Sequence, residues 1–175
     1  MNQTKPVSAR SYLAPVAALM VVIAVVDQAV KQLMLHYLEP GVPVPVIGDW
    51  FRFYLLFNPG ASFSMGQNMT WLFTTIQLIF PIAALYFSRS LPNRWEALGL
   101  GLIAGGAVGN LCDRLFREPG FWFGHVVDYI SVGNFAVFNI ADACITVGVV
   151  VFVAAMFFGP DEPGTGEPST AEPAR

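Results

Sequence analysis

The chain has 175 residues, a length that favours one domain. Hydrophobic residues make up 55% of it and charged residues 12%, about half the charged share of a soluble domain. So few charges cannot cover a surface that faces water, and we therefore expect a membrane protein. The net charge of −3 gives no sign of nucleic-acid binding. The two cysteines and two histidines form no disulfide or metal motif, so we expect neither a metal nor another cofactor.

Four apolar segments run along the chain, at 12–35, 71–87, 95–115 and 140–158. Each is close to the roughly 20 residues that a helix needs to cross a bilayer. Helices are expected because lipid offers the backbone no hydrogen-bond partner. The pattern predicts an all-α membrane protein with four transmembrane helices, which form one domain over residues 12–158.

Two short terminal segments flank this domain. Residues 1–11 form the N-terminus, and residues 159–175 have the Pro, Gly, Glu and Ser content of a disordered acidic tail. Four spans place both ends on one side of the membrane. Basic residues lie at the N-terminus and between the second and third segments: Lys5, Arg10, Arg89 and Arg94. The positive-inside rule therefore predicts that both termini are cytoplasmic.

The two longer connections, 36–70 and 116–139, are then expected outside the cell. The first contains "DWFRFYLLF" (49–57), whose partial alternation favours a strand. The second contains "FWFG" (121–124), and aromatic rings prefer the membrane–water interface. We expect a small β-like platform with an interfacial loop on the outer leaflet.

The third apolar segment carries a ladder of small residues with a spacing of four: Ala97, Gly101, Gly105 and Gly109. This spacing places them on one helical face. Small residues on one face let two helices approach closely in lipid. We therefore expect a tightly packed four-helix bundle.

Polar residues inside the spans need an explanation, because an ionisable group costs about 2.5–3.5 kcal/mol at the bilayer centre. In the predicted topology these residues gather near one membrane face, whereas chance would scatter them over both. They are Asp27, Lys31, Asn110, Asp113, Arg114, Asp128, Asn139 and Asp142. The clustering indicates a polar site near the outer face.

Some of these residues also have a structural interpretation, which the sequence leaves open. Asp27 and Lys31 are spaced i, i+4 with the acid first, the favourable order for an ion pair. Asp113 and Arg114 are adjacent near a predicted helix end and could pair at the membrane interface. Either pair could stabilise the bundle without taking part in chemistry.

Asp128 and Asp142 lie in apolar surroundings, and together they suggest acid–base chemistry. Asp142 falls in the first turn after Asn139, a candidate N-cap, where the helix dipole favours the ionised form. Burial of Asp128 favours its protonated form. Two carboxylates held close share one proton, so one can act as a base toward water while the other polarises a carbonyl. This is the arrangement of an aspartic protease.

Four blocks in order carry a family resemblance: "VVDQAVK" (25–31), "FNPGASFS" (57–64), "GGAVGNLCDRL" (105–115) and "HVVDYI…FNIADACITVG" (125–130, 138–148). In these blocks the chain resembles the lipoprotein signal peptidases, the type II signal peptidases of bacteria. The resemblance implies an aspartic endopeptidase of the cytoplasmic membrane, with its site near the outer face. It implies cleavage of prolipoproteins before a diacylglyceryl-modified cysteine, inhibition by globomycin, and no metal.

The resemblance also implies roles for individual residues. Asp128 and Asp142 match the catalytic dyad. The expected substrate-binding or supporting residues are Asp27, Lys31, Asn58, Gly60, Asn110, Asp113, Arg114 and Asn139. Asn58 and Arg114 are candidate binders of the substrate backbone, while Arg114 could alternatively orient Asp113. The expected partners are diacylglyceryl-modified prolipoproteins and membrane lipid, and we expect a monomer.

Three other functions remain open on the residues alone. Ser62, Ser64 or Ser131 could act as a nucleophile with Lys31 or His125 as base, although no G-x-S-x-G motif is present. Buried acids also mark small proton-coupled transporters or ion-binding proteins. A non-catalytic membrane scaffold would explain the glycine ladder but not the polar cluster.

Overall fold

The computed structural model describes residues 11–60 and 69–159. Four long helices in this part of the chain are α1 (Leu13–Tyr37), α2 (Thr70–Phe87), α3 (Arg94–Phe116) and α4 (Ile140–Phe158). Each is long and apolar enough to cross a membrane. Three strands, β1 (Pro43–Ile47), β2 (Phe51–Asn58) and β3 (Val126–Val132), form one small sheet. The predicted helical membrane bundle with a β platform is therefore confirmed.

The predicted spans differ from the observed helices by at most two residues at either end. The predicted terminal segments, residues 1–11 and 159–175, lie outside the described residues except for Ser11 and Gly159. The segment that contains Ser62 and Ser64 also lies outside them. Nothing in the structure therefore bears on the predicted acidic tail.

Helix α3 is the centre of the bundle. Over its most apolar window 67% of the residues are buried, against 22%, 22% and 17% for α1, α2 and α4. It packs against all three of these helices. The other helices leave many large apolar side chains exposed, such as Val25 on α1, Ile82 on α2 and Val150 on α4. Such a surface suits lipid and does not suit water.

The predicted glycine ladder of α3 faces α1. Cβ atoms added at Gly101, Gly105 and Gly109 would meet Leu19, Ile23 and Asp27. The prediction of close helix packing at this face is therefore confirmed.

A second small-residue face of α3 packs against α4, and the sequence analysis missed it. A Cβ at Gly99 would lie 2.6 Å from the backbone nitrogen of Phe152. A Cβ at Gly106 would lie 2.3 Å from the carbonyl oxygen of Ala141. On α4, a Cβ at Gly148 would lie 2.8 Å from the carbonyl oxygen of Gly99. Helices α3 and α4 are thus in backbone contact, and this contact includes Ala141 in the first turn of α4.

The sheet is antiparallel with the order β1-β2-β3, and it lies at the end of the bundle where α1 ends and α2 and α4 begin. Strand β3 belongs to a connection that the sequence predicted as loop, and it pairs with β2 from Phe51–Val132 to Asn58–Val126. Leu55, Val127 and Tyr129 form a buried cluster that packs on residues of α1, including Met34. This packing fixes the sheet to the bundle.

Alanine at Gly106 should destabilise the protein, because its Cβ would press against backbone that cannot move aside. We expect Gly106→Ala to lower the free energy of unfolding by about 1–3 kcal/mol, the usual cost of overpacking. Gly101→Ala is the matched control on the same helix, since its Cβ would first meet the flexible end of Leu19. Thermal unfolding in detergent measures both variants, and equal melting temperatures would contradict the backbone contact.

Candidate active site

Strand β3 carries Asp128 into the interior of the protein. Side chains alternate along a strand, so Val126 and Asp128 share one face while Val127 and Tyr129 share the other. The second face packs into the cluster against α1. The first face includes Val126, which lines a cavity in the bundle. Asp128 is 2% exposed, so its carboxyl group depends on protein partners rather than water.

Two asparagine amides donate hydrogen bonds to the carboxyl group of Asp128. Asn58 lies on β2, two residues out of register with Asp128, and its Nδ2 donates to Oδ2 at 2.9 Å. Asn139 Nδ2 donates to Oδ1 at 2.7 Å. The Oδ1 atom of Asn58 accepts from the backbone nitrogen of Gly60, which fixes the orientation of the amide. Both oxygens of Asp128 are therefore held in place.

Asp142 is held by the start of α4. The predicted N-cap is confirmed as a reciprocal capping box, in which Asn139 Oδ1 accepts from Asp142 N and Asp142 Oδ2 accepts from Asn139 N. Asn110 Nδ2 donates to the other oxygen of Asp142 at 2.8 Å. Asn139 thus contacts both aspartates, through its side chain to Asp128 and through its backbone to Asp142.

Burial changes the acidity of Asp128. Burial, with the nearby charge of Asp142, raises its pKa from 3.8 to about 7, although the hydrogen bonds from Asn58 and Asn139 act in the opposite direction. The predicted direction of this shift is confirmed. Near neutral pH, Asp128 can therefore hold a proton, which a carboxyl group of ordinary pKa does not.

The side chain of Lys31 is completely buried, and its ammonium group is connected to Asp142 through Asn110. It forms ion pairs with Asp27 at 2.7 Å and with Asp113 at 2.8 Å, so the predicted i, i+4 pair is confirmed. Its third contact is Asn110 Oδ1 at 2.9 Å. Because Oδ1 of Asn110 faces this cation, its Nδ2 must face Asp142. The charge cluster thereby orients an amide of the candidate site.

The two acids of this cluster also hold backbone. Asp27 Oδ1 accepts a hydrogen bond from the backbone nitrogen of Ala141 at 3.0 Å. This N–H group lies in the first turn of α4, where the helix itself provides no acceptor. Asp113 Oδ2 accepts from Val127 N at 3.1 Å, next to Asp128 on β3. Each acid therefore anchors the residue next to one member of the aspartate pair.

The pair between Asp113 and Arg114, which the sequence left open, does not form. Successive residues of a helix point in different directions, and Asp113 instead pairs with Lys31 and Arg117. Arg114 donates to the carbonyl oxygens of Pro59, Gly60 and Gly124. It therefore joins the β2–α2 connection to α3 and does not orient Asp113.

The sequence analysis did not single out two members of the cluster. Gln28 Nε2 donates to Gly109 O at 2.9 Å and to Asp113 Oδ1 at 3.0 Å. Arg117 pairs with Asp113 and donates to Gln28. A sequence signal existed for Arg117, because it lies four residues after Asp113 on the same helix. Gln28 gave no such signal.

A cavity of about 680 Å³ opens beside the aspartate pair. Asp142, Ile145 and Thr146 line it from α4, and Phe73 and Gln77 line it from α2. Asn58, Gly60, Asn110 and Arg114 also line it. The other predicted site residues do not line the cavity. Asp128, Asn139 and Lys31 contact residues that line it, and Asp27 and Asp113 contact Lys31.

The structure gives little support to a serine nucleophile or a metal among the described residues. Ser131 accepts a hydrogen bond from Arg52 at 3.3 Å, and Lys31 is engaged with Asp27, Asp113 and Asn110. Within residues 11–60 and 69–159, His, Cys, Asp and Glu form no group of three or more that could hold a metal ion.

Comparison with known families identifies one match over most of the chain. A family model described as signal peptidase (SPase) II matches residues 19–158. The lipoprotein signal peptidase of Rhodococcus jostii (strain RHA1) is 46% identical over 144 residues, which are 82% of this chain and 73% of the relative. That of Mycobacterium avium (strain 104) is 43% identical over 149 residues, which are 85% of this chain and 82% of the relative.

Two solved structures are similar to the fold. Both are described as a bacterial membrane enzyme determined by the in meso method, at 2.3 and 1.9 Å resolution. The first has a TM-score of 0.74 and 26% identity, with 86% of this chain and 92% of that chain covered. The second has a TM-score of 0.73 and 26% identity, with 87% and 99% covered.

Removal of the buried cation should be strongly destabilising. Lys31→Met leaves Asp27 and Asp113 as buried carboxylates without their shared partner, so we expect a loss of about 3–5 kcal/mol in the free energy of unfolding. Arg117→Met is the control, because the Arg117 side chain is 17% exposed and Lys31 still compensates Asp113. Unfolding in detergent measures both losses. A smaller loss for Lys31→Met than for Arg117→Met would contradict the central role of Lys31.

Proposed function

The chain belongs to the signal peptidase II family, and we propose that it removes signal peptides from prolipoproteins with Asp128 and Asp142 as its catalytic pair. The observation that carries the proposal is the contact of Asn139 with both carboxyl groups beside a cavity. The family and its relatives support a peptidase that acts on prolipoproteins. Cleavage takes place before a cysteine that carries diacylglycerol.

The reaction begins with a water between the two aspartates. Asp142, favoured as an anion by the N-terminus of α4, takes a proton from this water as the oxygen attacks the scissile carbonyl carbon. Asp128 gives its proton to the carbonyl oxygen, so no full negative charge develops there. The product of this step is a neutral tetrahedral diol.

The second step breaks the peptide bond. Asp142 returns its proton to the nitrogen of the leaving cysteine, and the C–N bond breaks. Asp128 takes a proton back from the collapsing diol. The products are a signal peptide with a new carboxyl group and a lipoprotein with a free amino group on its modified cysteine, and both aspartates regain their initial protonation states.

The substrate enters from the membrane, because the cavity lies between two helices that face lipid. The peptide is extended at the site, and its acyl chains lie along apolar helix surfaces. The protein acts as a monomer and is inhibited by globomycin. Its termini are cytoplasmic and the sheet end of the bundle is outside, which the arginines Arg89 and Arg94 at the opposite end support.

A small proton-coupled transporter was the second candidate. The acids Asp27, Asp113, Asp128 and Asp142 lie at the sheet end rather than along the whole bundle. The relatives are named as peptidases. No observation favours transport, so the peptidase is retained.

Either aspartate should be essential for turnover. We expect Asp128→Asn and Asp142→Asn each to lower kcat/KM by at least about 10²-fold, because each removes one proton-transfer step. The measurement is cleavage of a diacylglyceryl-modified lipobox peptide by purified protein in detergent, with and without globomycin. Asparagine keeps the shape but places an NH2 group against a hydrogen-bond donor at either position, so melting temperatures are measured to establish that each variant is folded. Normal turnover by folded Asp142→Asn would refute the mechanism.

Activity should fall at alkaline pH. Asp128 must be protonated to act as an acid, and its pKa is raised to about 7. We expect kcat/KM to decline above pH 7, with a slope that approaches tenfold per pH unit. Folding stability should decrease over a lower pH range, as pH rises from the ordinary pKa of 3.8 to about 7, because over that range the folded state holds the proton of Asp128 and the unfolded chain does not. A rate that stays flat between pH 6 and 9 would contradict Asp128 as the acid.

A further inference from the structure

Gln77 is a polar residue of the cavity that the aspartate framework does not use. Asn58, Asn110 and Asp142 hold one another or Asp128, and Arg114 holds loop carbonyls. The Oε1 atom of Gln77, by contrast, is buried and has no hydrogen-bond partner among the described residues. A buried acceptor without a partner is destabilising, so the Gln77 carboxamide has an unmet hydrogen bond beside the cavity that it lines.

The contacts at the start of α2 determine how far Gln77 lies from the sheet end of the bundle. Thr70 at the start of α2 donates to Pro59 O, and Thr74 donates to Trp122 O at 2.8 Å, so the helix is fixed at its sheet end. Gln77 lies seven residues after the start, about 10 Å along the helix. Thr146 lies at a similar distance along α4, one turn beyond Asp142. Gln77 therefore faces the part of the cavity that is deeper than the aspartate pair.

A substrate in this part of the cavity needs hydrogen-bond partners for its backbone. Hydrolysis requires an extended peptide at the scissile bond, so a membrane-spanning signal peptide must unwind there. Unwinding frees N–H and C=O groups, and lipid offers them no partner. A glutamine carboxamide carries one acceptor oxygen and a donor NH2 group, which match the donor and acceptor of one peptide group.

We propose that Gln77 binds the unwound backbone of the signal peptide on the membrane side of the scissile bond. Its Oε1 accepts from one peptide N–H, and its Nε2 donates to a carbonyl of the same strand. This contact recognises backbone groups rather than side chains. The inference depends on the proposed function, since it assigns a substrate contact to the same cavity.

The test combines a variant with a backbone change in the substrate. Gln77→Met keeps the length and the helix preference of the residue but removes both polar groups. Leu78→Met is the matched control, because Leu78 is adjacent, 36% exposed and outside the cavity lining. Gln77→Asn, which withdraws the amide by one methylene, serves as a second variant. Melting temperatures establish that each variant is folded.

The substrates are diacylglyceryl-modified lipobox peptides in which one amide at a time, over the four residues before the cysteine, is replaced by an ester. An ester lacks the N–H group that Gln77 Oε1 would accept from. With the all-amide peptide, we expect Gln77→Met and Gln77→Asn to lower kcat/KM about tenfold, because each leaves one peptide group of the substrate without its hydrogen-bond partner. Leu78→Met should leave kcat/KM unchanged.

The ester series separates a substrate contact from a structural role. At one position the ester should lower kcat/KM of the wild type about tenfold and leave Gln77→Met unaffected, because the contact is already absent. Equal ester effects in both proteins at every position, or full activity of Gln77→Met, would overturn the proposal. Failure of the wild type to cleave the all-amide peptide would instead refute the proposed function itself.

Discussion

The site depends on one completely buried cation, the ammonium group of Lys31. It forms ion pairs with Asp27 and Asp113 and donates a hydrogen bond to the acceptor oxygen of Asn110. Through these acceptors it determines the position of the start of α4, of strand β3 and of one amide in the cavity. A buried charge is costly in a membrane, and this one is tolerated because it is paired with two opposite charges, Asp27 and Asp113, that are also buried.

Close packing of α3 makes this arrangement possible. Its glycines at 101, 105 and 109 bring α1 near, and those at 99 and 106 bring α4 into backbone contact. A side chain at Gly109 would occupy the space of the Asp27 carboxyl group, which lies 2.7 Å from the position of its Cβ. The small residues thus let acids from one helix reach the end of another, so helix packing and site geometry have the same cause.

The two aspartates differ because the chain brings them from different kinds of structure. Asp128 comes from a strand that is buried on both faces, where desolvation favours its proton. Asp142 comes from the first turn of a helix and lines an open cavity. Asn139 contacts both, so their separation is set by a single residue. In the proposed mechanism, this asymmetry would supply an acid and a base from two identical side chains.

The sequence by itself determined the four spans, the N-cap at Asn139 and the pair Asp27–Lys31, because hydropathy, capping and i, i+4 spacing are local properties. It also identified Asp128 and Asp142 as unusual acids. Only the tertiary structure decided that Arg114 binds loop carbonyls, that Asp128 lies on a strand, and that the Oε1 atom of Gln77 is left without a partner. These features depend on contacts between residues far apart in the chain, and no spacing along the sequence encodes them.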